Sequence, residues 1–236
     1  MKEENARFGT FSSSENHKLI KSGRTKDAEF SQVGLTYIQE KRFERKLGKA
    51  LTGETSAKPT SWGTFMEEFV FNKKIDMGYR LKSTDRLGHP TIKEWTGSPD
   101  TLRGDYVGDI KCPWTLKSFC EAVEALKIGV EKFKEVKPEW FWQLCSNAIL
   151  TQKDKAEIII YVPYLSELDE IREYADNYLG DQNKIAFINW AGDDELPHLL
   201  DKGDYKNINI FEFDVPQSDK DFLTERVQSA IKLLKT

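Results

Sequence analysis

With 236 residues, 39% hydrophobic and 31% charged, the chain is long enough to bury a substantial core and suits one domain, or one domain with an elaboration. No apolar run approaches the roughly 18 residues of a membrane span and the start, MKEENARF, lacks an apolar signal-peptide region, so a cytoplasmic protein without membrane association is expected. The formal net charge of −4 does not advertise a nucleic-acid partner, and three cysteines, Cys112, Cys120 and Cys145, without CxxC spacing argue against a disulfide framework or a zinc site and read as buried thiols.

The charge is unevenly spread. Residues 1–51 hold 11 Lys and Arg against 7 Asp and Glu, so a basic, helical N-terminal lobe (1–55) is followed by an acidic remainder. Such a lobe could meet phosphates, although solvated helix faces account for the same charges equally well. Residues 12–22 read as a short helix, with Ser12 and Glu15 at capping-box spacing. A lysine- and arginine-rich helical stretch runs from Thr25 to Leu51, interrupted near Gly34 and ending at Thr52-Gly53. Over 60–74, Trp62, Phe65, Met66, Phe69 and Val70 fall at i, i+3, i+4, i+7 and i+8, the apolar stripe of an amphipathic helix.

Short strands are expected near 79–84, 91–96, 98–103 and 106–112, then helices near 116–134 and from Pro138 to about 151, proline being tolerated in a first turn. Ala156 to Val162 is a continuous apolar run that suits a buried central strand. Residues 165–206 combine a helix (166–178) with turn-rich sequence and read as an insertion of unassigned role. A strand near 208–215 and an amphipathic helix from Asp219 to Leu234 close a single mixed α/β (α+β) domain spanning 1–236, a central sheet flanked by helices.

The chemistry concentrates between Gly97 and Thr115, GSPDTLRGDYVGDIKCPWT. Gly104-Asp105 is a two-residue hairpin signal. A hinge there sets Arg103 opposite Tyr106, Leu102 opposite Val107, and Asp100 opposite Asp109. Like charges held directly across an antiparallel pair repel unless a cation sits between them. Lys111 shares a strand face with Asp109, while Ile110 points the other way, into the core. Glu67 lies beside the apolar stripe of its helix and leans over Gly63, where no side chain fills the space. Gln143 shares a helical face with Trp140 and Asn147. Trp140, Phe141 and Trp142 read as core or interface aromatics. His17, His89 and His198 show no ligand spacing, and no GxSxG elbow, phosphate-binding glycine loop or zinc signature occurs.

The Pro-Asp, then Asp-x-Lys arrangement resembles the PD-(D/E)XK nuclease superfamily, with its restriction-endonuclease-like core. The continuation Lys111-Cys112-Pro113-Trp114-Thr115, the Ser98-Pro99-Asp100 start, and Trp62-Gly63 with Glu67, preceded by Ala57-Lys58, look like the lambda-exonuclease (YqaJ-like) family of phage recombination exonucleases. The absence of a fourth cysteine argues against the superfamily's iron–sulfur members. This resemblance implies catalytic roles for Asp100, Asp109, Lys111, Glu67 and Gln143, and Mg²⁺, or Mn²⁺ in its place, held by Asp100, Asp109, the Ile110 carbonyl and Glu67. Oxygen donors of this kind suit a hard cation. It also implies a terminal-phosphate pocket using Arg7, Ser12, Ser14 and Ser98, with Lys58 on the DNA. On local sequence alone Ser12 reads equally as a helix cap and Arg7 as a chain-end residue.

The implied activity is 5′ to 3′ digestion of one strand of linear double-stranded DNA to mononucleotides, by a phage- or prophage-encoded homotrimer working with a single-strand annealing protein. A superfamily endonuclease or structure-specific nuclease, and an inactive DNA-end-binding module, are the alternatives. Two departures stand out: Asp109 occupies a position where many members carry glutamate, and Thr60 occupies the place of the apolar residue with which the enzyme that names the family splits the duplex.

Overall fold

Alternation along the strand that carries Asp109 sets the architecture. In the computed structural model, which describes residues 8–25, 28–51, 57–75, 81–82 and 86–235, the elements in chain order are β1 (Phe11–Ser12), α1 (Gln32–Leu47), α2 (Lys58–Lys73), β2 (Leu81–Lys82), β3 (Leu87–Gly88), β4 (Trp95–Gly97), β5 (Thr101–Arg103) and β6 (Tyr106–Lys111). There follow α3 (Leu116–Ile128), α4 (Val130–Val136), α5 (Pro138–Thr151), β7 (Lys155–Tyr161), α6 (Leu168–Asp176), α7 (Gln182–Ile185), α8 (Phe187–Trp190), β8 (Ile208–Asp214) and α9 (Gln217–Lys235). Five strands form the central sheet in the order β2-β5-β6-β7-β8, and β1-β4-β3 form a smaller one.

The central sheet is mixed. β6 and β7 run parallel, joined by the α3–α5 crossover, while the outer pairs are antiparallel. β7 is buried on both faces, which is why its sequence is an unbroken apolar run. Ala156, Ile158 and Ile160 enter one core with Val107 and side chains of α3, α5 and α9, whereas Ile159 and Tyr161 enter a second core with Ile110 and α2. The expected mixed α/β class, a central sheet flanked by helices, is the one observed. No helix among the described residues is long and apolar enough to cross a membrane.

Several boundaries differ from the sequence expectations, each for a physical reason. The helix expected over 12–22 is a 3₁₀ turn at Asn16–Leu19, preceded by β1. Here tertiary pairing overrides local capping: the Phe11 and Ser13 amides donate to the Glu94 and Thr96 carbonyls at 2.7 and 2.9 Å. Glu15 pairs with Lys18 instead of closing a capping box. α1 starts at the Ser31 cap, whose hydroxyl accepts the Gly34 amide, and stops at Gly48, five residues before Gly53, which lies outside the described residues. The helix expected over 116–134 breaks into α3 and α4 at Gly129. The strand expected over 91–96 shortens to β4, because the His89 ring accepts the Thr91 and Ile92 amides in the turn before it.

The segment 165–206 has a structural role that its sequence did not signal. Tyr174 and Tyr178 pack edge-on or tilted against Phe65 and Phe69 of α2 at ring separations of 5.3–5.7 Å, and Phe187 meets Trp114, which meets Trp62. The insertion thus buttresses the helix that carries Glu67.

Candidate active site

The hairpin forms as its turn chemistry dictates. Gly104 takes a positive φ of 52°, and Arg103 pairs with Tyr106, Leu102 with Val107 and Thr101 with Gly108. One step further along this register stands Asp100 against Asp109, and the Asp100 amide donates to the Gly108 carbonyl at 3.1 Å. Asp100 Oδ2 turns back to accept the Ile110 amide at 2.7 Å, which fixes its carboxylate at the end of the strand pair.

Asp109 is 0% exposed and points towards α5. Its Oδ1 accepts the Gln143 side-chain amide at 2.8 Å, and Gln143 Oε1 accepts Lys111 Nζ at 3.1 Å. Oδ2 receives no well-aligned hydrogen bond and faces the Lys111 ammonium 2.6 Å away. Asp109, Gln143 and Lys111 therefore close a ring of polar contacts between β6 and α5. Glu67 arrives from α2, on the opposite face of the sheet, and Gly63 beside it borders open space.

Electrostatics bind these groups into one cluster. Burial, followed by the neighbouring charges of Asp109 and Glu67, raises the Asp100 carboxyl well above the ordinary carboxylate range. Burial alone would lower the Lys111 ammonium, but Asp109, Asp100 and Glu67 outweigh it and hold the ammonium charged beyond its usual range. The Cys112 thiol is pushed up by burial and by Glu67 and Asp100, so it is an inert neighbour.

The donor set has the chemistry a hard divalent cation requires: the buried Asp109 and half-buried Asp100 carboxylates in excess of one ammonium, with a third carboxylate near enough to perturb both Asp100 and Lys111. Among the described residues no three His, Cys, Asp or Glu side chains converge into a ready-made cage. The groups that could hold a cation are the Asp100 and Asp109 carboxylates, with Glu67 at longer range.

Next to this ring lies a cleft of about 430 Å³ that brings Ser12, Ser14, Ser98 and Gln143 together. Arg7 lies outside the described residues. Lys58 does not line the cleft; it sits at the start of α2 with its ammonium over the Phe187 ring at 5.6 Å. Arg86, Lys41 and the buried Glu44 also line the cleft, and sequence reasoning missed them. Lys41 and Glu44 could have been read as an i, i+3 ion pair on α1, whereas Arg86 carries no periodic signal. Glu44 accepts the Gly9 amide at 2.7 Å and Arg45 Nε donates to the Gly9 carbonyl at 2.8 Å, so α1 clamps the segment leading to Ser12. Beneath the cleft, Ser146 Oγ joins Ser13 Oγ and Trp95 Nε1, both at 2.8 Å. Phe141 and Trp142 are buried in the core, and His89 stacks on Trp95.

No protein-family model matches the chain, and no curated protein does. Solved structures do. An alkaline exonuclease (LHK-Exo) from Laribacter hongkongensis superposes with a TM-score of 0.62 at 18% identity, covering 98% of this chain and 91% of that one. The same enzyme in complex with dAMP gives 0.63 at 20% identity, covering 100% and 93%. A phage-related exonuclease from Haemophilus somnus 129PT gives 0.59 at 18% identity, covering 95% and 93%. The chain has the fold of these exonucleases.

Proposed function

We propose that the protein is a metal-dependent deoxyribonuclease, a 5′ to 3′ exonuclease that degrades one strand of linear double-stranded DNA to mononucleotides. The observation that carries this is the ring of Asp109, Lys111 and Gln143 closed beside Asp100, at the end of a β-hairpin, in a fold shared along nearly its whole length with exonucleases. That one of those neighbours was solved with dAMP supports a mononucleotide product.

Mg²⁺, or Mn²⁺, held by Asp100, Asp109 and the Ile110 carbonyl would supply Lewis-acid stabilisation of the attacking and leaving oxygens in phosphodiester hydrolysis. The chain's residues do the rest. Gln143 orients the Asp109 carboxylate through a charge-assisted hydrogen bond, a contact worth roughly 1.5–3 kcal/mol, and so keeps it aimed from β6 into the site. Lys111, held charged by three carboxylates, acts as a fixed cation that orients the attacking water and stabilises charge growing on the phosphate. A proton acceptor is a poorer description of it, since its ammonium is stabilised rather than weakened. Glu67 adds negative charge from α2. The serine-lined cleft would hold the 5′-terminal phosphate through Ser12, Ser14 and Ser98, with Arg7, and Lys58 would meet the DNA backbone. A homotrimer and a single-strand annealing partner in phage-type recombination complete the proposal.

Topology of the substrate tests it. With Mg²⁺, linear duplex DNA should be consumed while covalently closed circles of the same sequence survive. Linearisation of the circle would show an endonuclease instead.

A further inference from the structure

The basic N-terminal lobe carries charges that the function above leaves unused. We infer that Arg42, Lys46 and Lys49 form a surface that grips the sugar–phosphate backbone of duplex DNA on the flank of the cleft, an inference that rests on the DNA-degrading function proposed above. Residues 41–49, KRFERKLGK, hold five cations and one acid. The acid, Glu44, is buried and turned inward onto the Gly9 amide and the Lys41 ammonium. Arg45 is committed to the Gly9 carbonyl and to Glu94, 3.6 Å away. Arg42, half-buried, and the exposed Lys46 and Lys49 pair with no acid among the described residues.

The solvated helices α3 and α4 show a different pattern. There Lys117, Lys127, Lys132 and Lys134 each face an acid, respectively Glu121, Glu124, Glu135 and Asp219. On α1, at about 100° per residue, Arg42 and Lys46 stand about 40° apart in one row, a step of about 6 Å along the axis, and Lys49 follows the Gly48 stop. The row runs between Lys41, on the wall of the cleft, and the exposed Phe43 and Leu47. The carbonyl end of a helix favours cations, which accounts for their sign and not for the missing acids. A duplex carries a charge about every 1.7 Å of its length and stays straight over far more than the width of a protein. Held by one end at the proposed site of hydrolysis, it must run in line past a flank of the cleft, and a rigid row of unspent cations matches it there. A single strand has neither that charge density nor that straightness.

The test is the salt dependence of binding to a short labelled duplex, read by fluorescence anisotropy in EDTA. Because EDTA stops cleavage, the measurement reads this surface whether or not the exonuclease activity is found. Each phosphate contact contributes about 0.9 to the slope of log affinity against log salt, so Arg42→Gln/Lys46→Gln/Lys49→Gln should lower the slope by about 2–3 and weaken binding about 10-fold or more near physiological salt. Lys46→Gln and Lys49→Gln alone should each lower it by about 0.9, and they decide the matter if the triple variant does not fold. Lys117→Gln/Lys127→Gln/Lys132→Gln removes the same formal charge from α3 and α4 and should keep the wild-type slope. An unchanged slope in the α1 variants overturns the inference, as does an equal loss in the α3 and α4 control, which would reduce the effect to net charge. A loss confined to a single strand of the same length, with duplex binding intact, would assign the row to single-stranded DNA and overturn it as well.

Discussion

The two aspartates of the hairpin have different partners, and their substitutions should separate accordingly. Asp100→Asn and Asp109→Asn should each abolish Mg²⁺-dependent cleavage, because each removes a charge from the donor set. Their effects on stability in EDTA should be opposite. Asp100 is crowded by Asp109 and Glu67, and an asparagine can still accept the Ile110 amide, so Asp100→Asn should raise the melting temperature. Asp109→Asn should lower it, since Lys111 loses its closest partner. The pH dependence follows from the same shift. A carboxyl whose folded-state pKa lies above its unfolded value contributes stability that is complete below the ordinary carboxylate range and is lost as pH rises through the raised value. Metal-free wild type should therefore lose stability over that interval, and Asp100→Asn should not; parallel melting curves of the two across pH would contradict the crowding. Lys111→Ala should slow turnover at saturating DNA and Mg²⁺ by about 10²-fold or more. In EDTA near neutral pH it should cost about 3–5 kcal/mol, the scale of leaving a buried charge uncompensated. Chemical denaturation checks that second figure.

Among the elements, β4 deserves a direct probe, because it links the serine cleft to the hairpin. A Cβ on Gly97 would collide with Ser13 Oγ, Asn147 Oδ1 and Leu150 Cδ1, so Gly97→Ala should cost about 1–3 kcal/mol by overpacking. Denaturant melts should show it, and an unchanged midpoint would mean that the β1, β4 and α5 contact is looser than described. The ease of reading each element from sequence tracks how local its determinants are. The hairpin was legible to the register, since glycine in the turn and alternation in the strands are near-neighbour signals. The stripe of α2 and the doubly buried β7 were legible for the same reason. What was hidden depended on distant partners. β1 exists because β4 lies beside it, the small sheet joins segments about 80 residues apart, and the aromatic contacts of 165–206 with α2 have no periodic signature. Arg86 belongs to this second group, placed by a hydrogen bond to a strand ten residues later.

At the scale of the whole molecule, the exposed surface bears on assembly. Val33, Phe43 and Leu47 lie exposed along one face of α1, and Trp190 stands 85% exposed at the end of α8, apolar surface that association between copies would cover. Light scattering after size exclusion should return three times the 27.3 kDa of one chain, and a monomer mass would contradict the proposed trimer. The central claim, however, concerns what the acid pair and its lysine do to DNA. Linear duplex labelled separately at each 5′ and 3′ end tests it most directly, incubated with wild type in Mg²⁺, wild type in EDTA, and Asp109→Asn in Mg²⁺. The predicted result is early release of the 5′ label as a mononucleotide by wild type in Mg²⁺ alone, the 3′ label remaining on long strands. Release in EDTA or by Asp109→Asn, or early loss of the 3′ label, would contradict it.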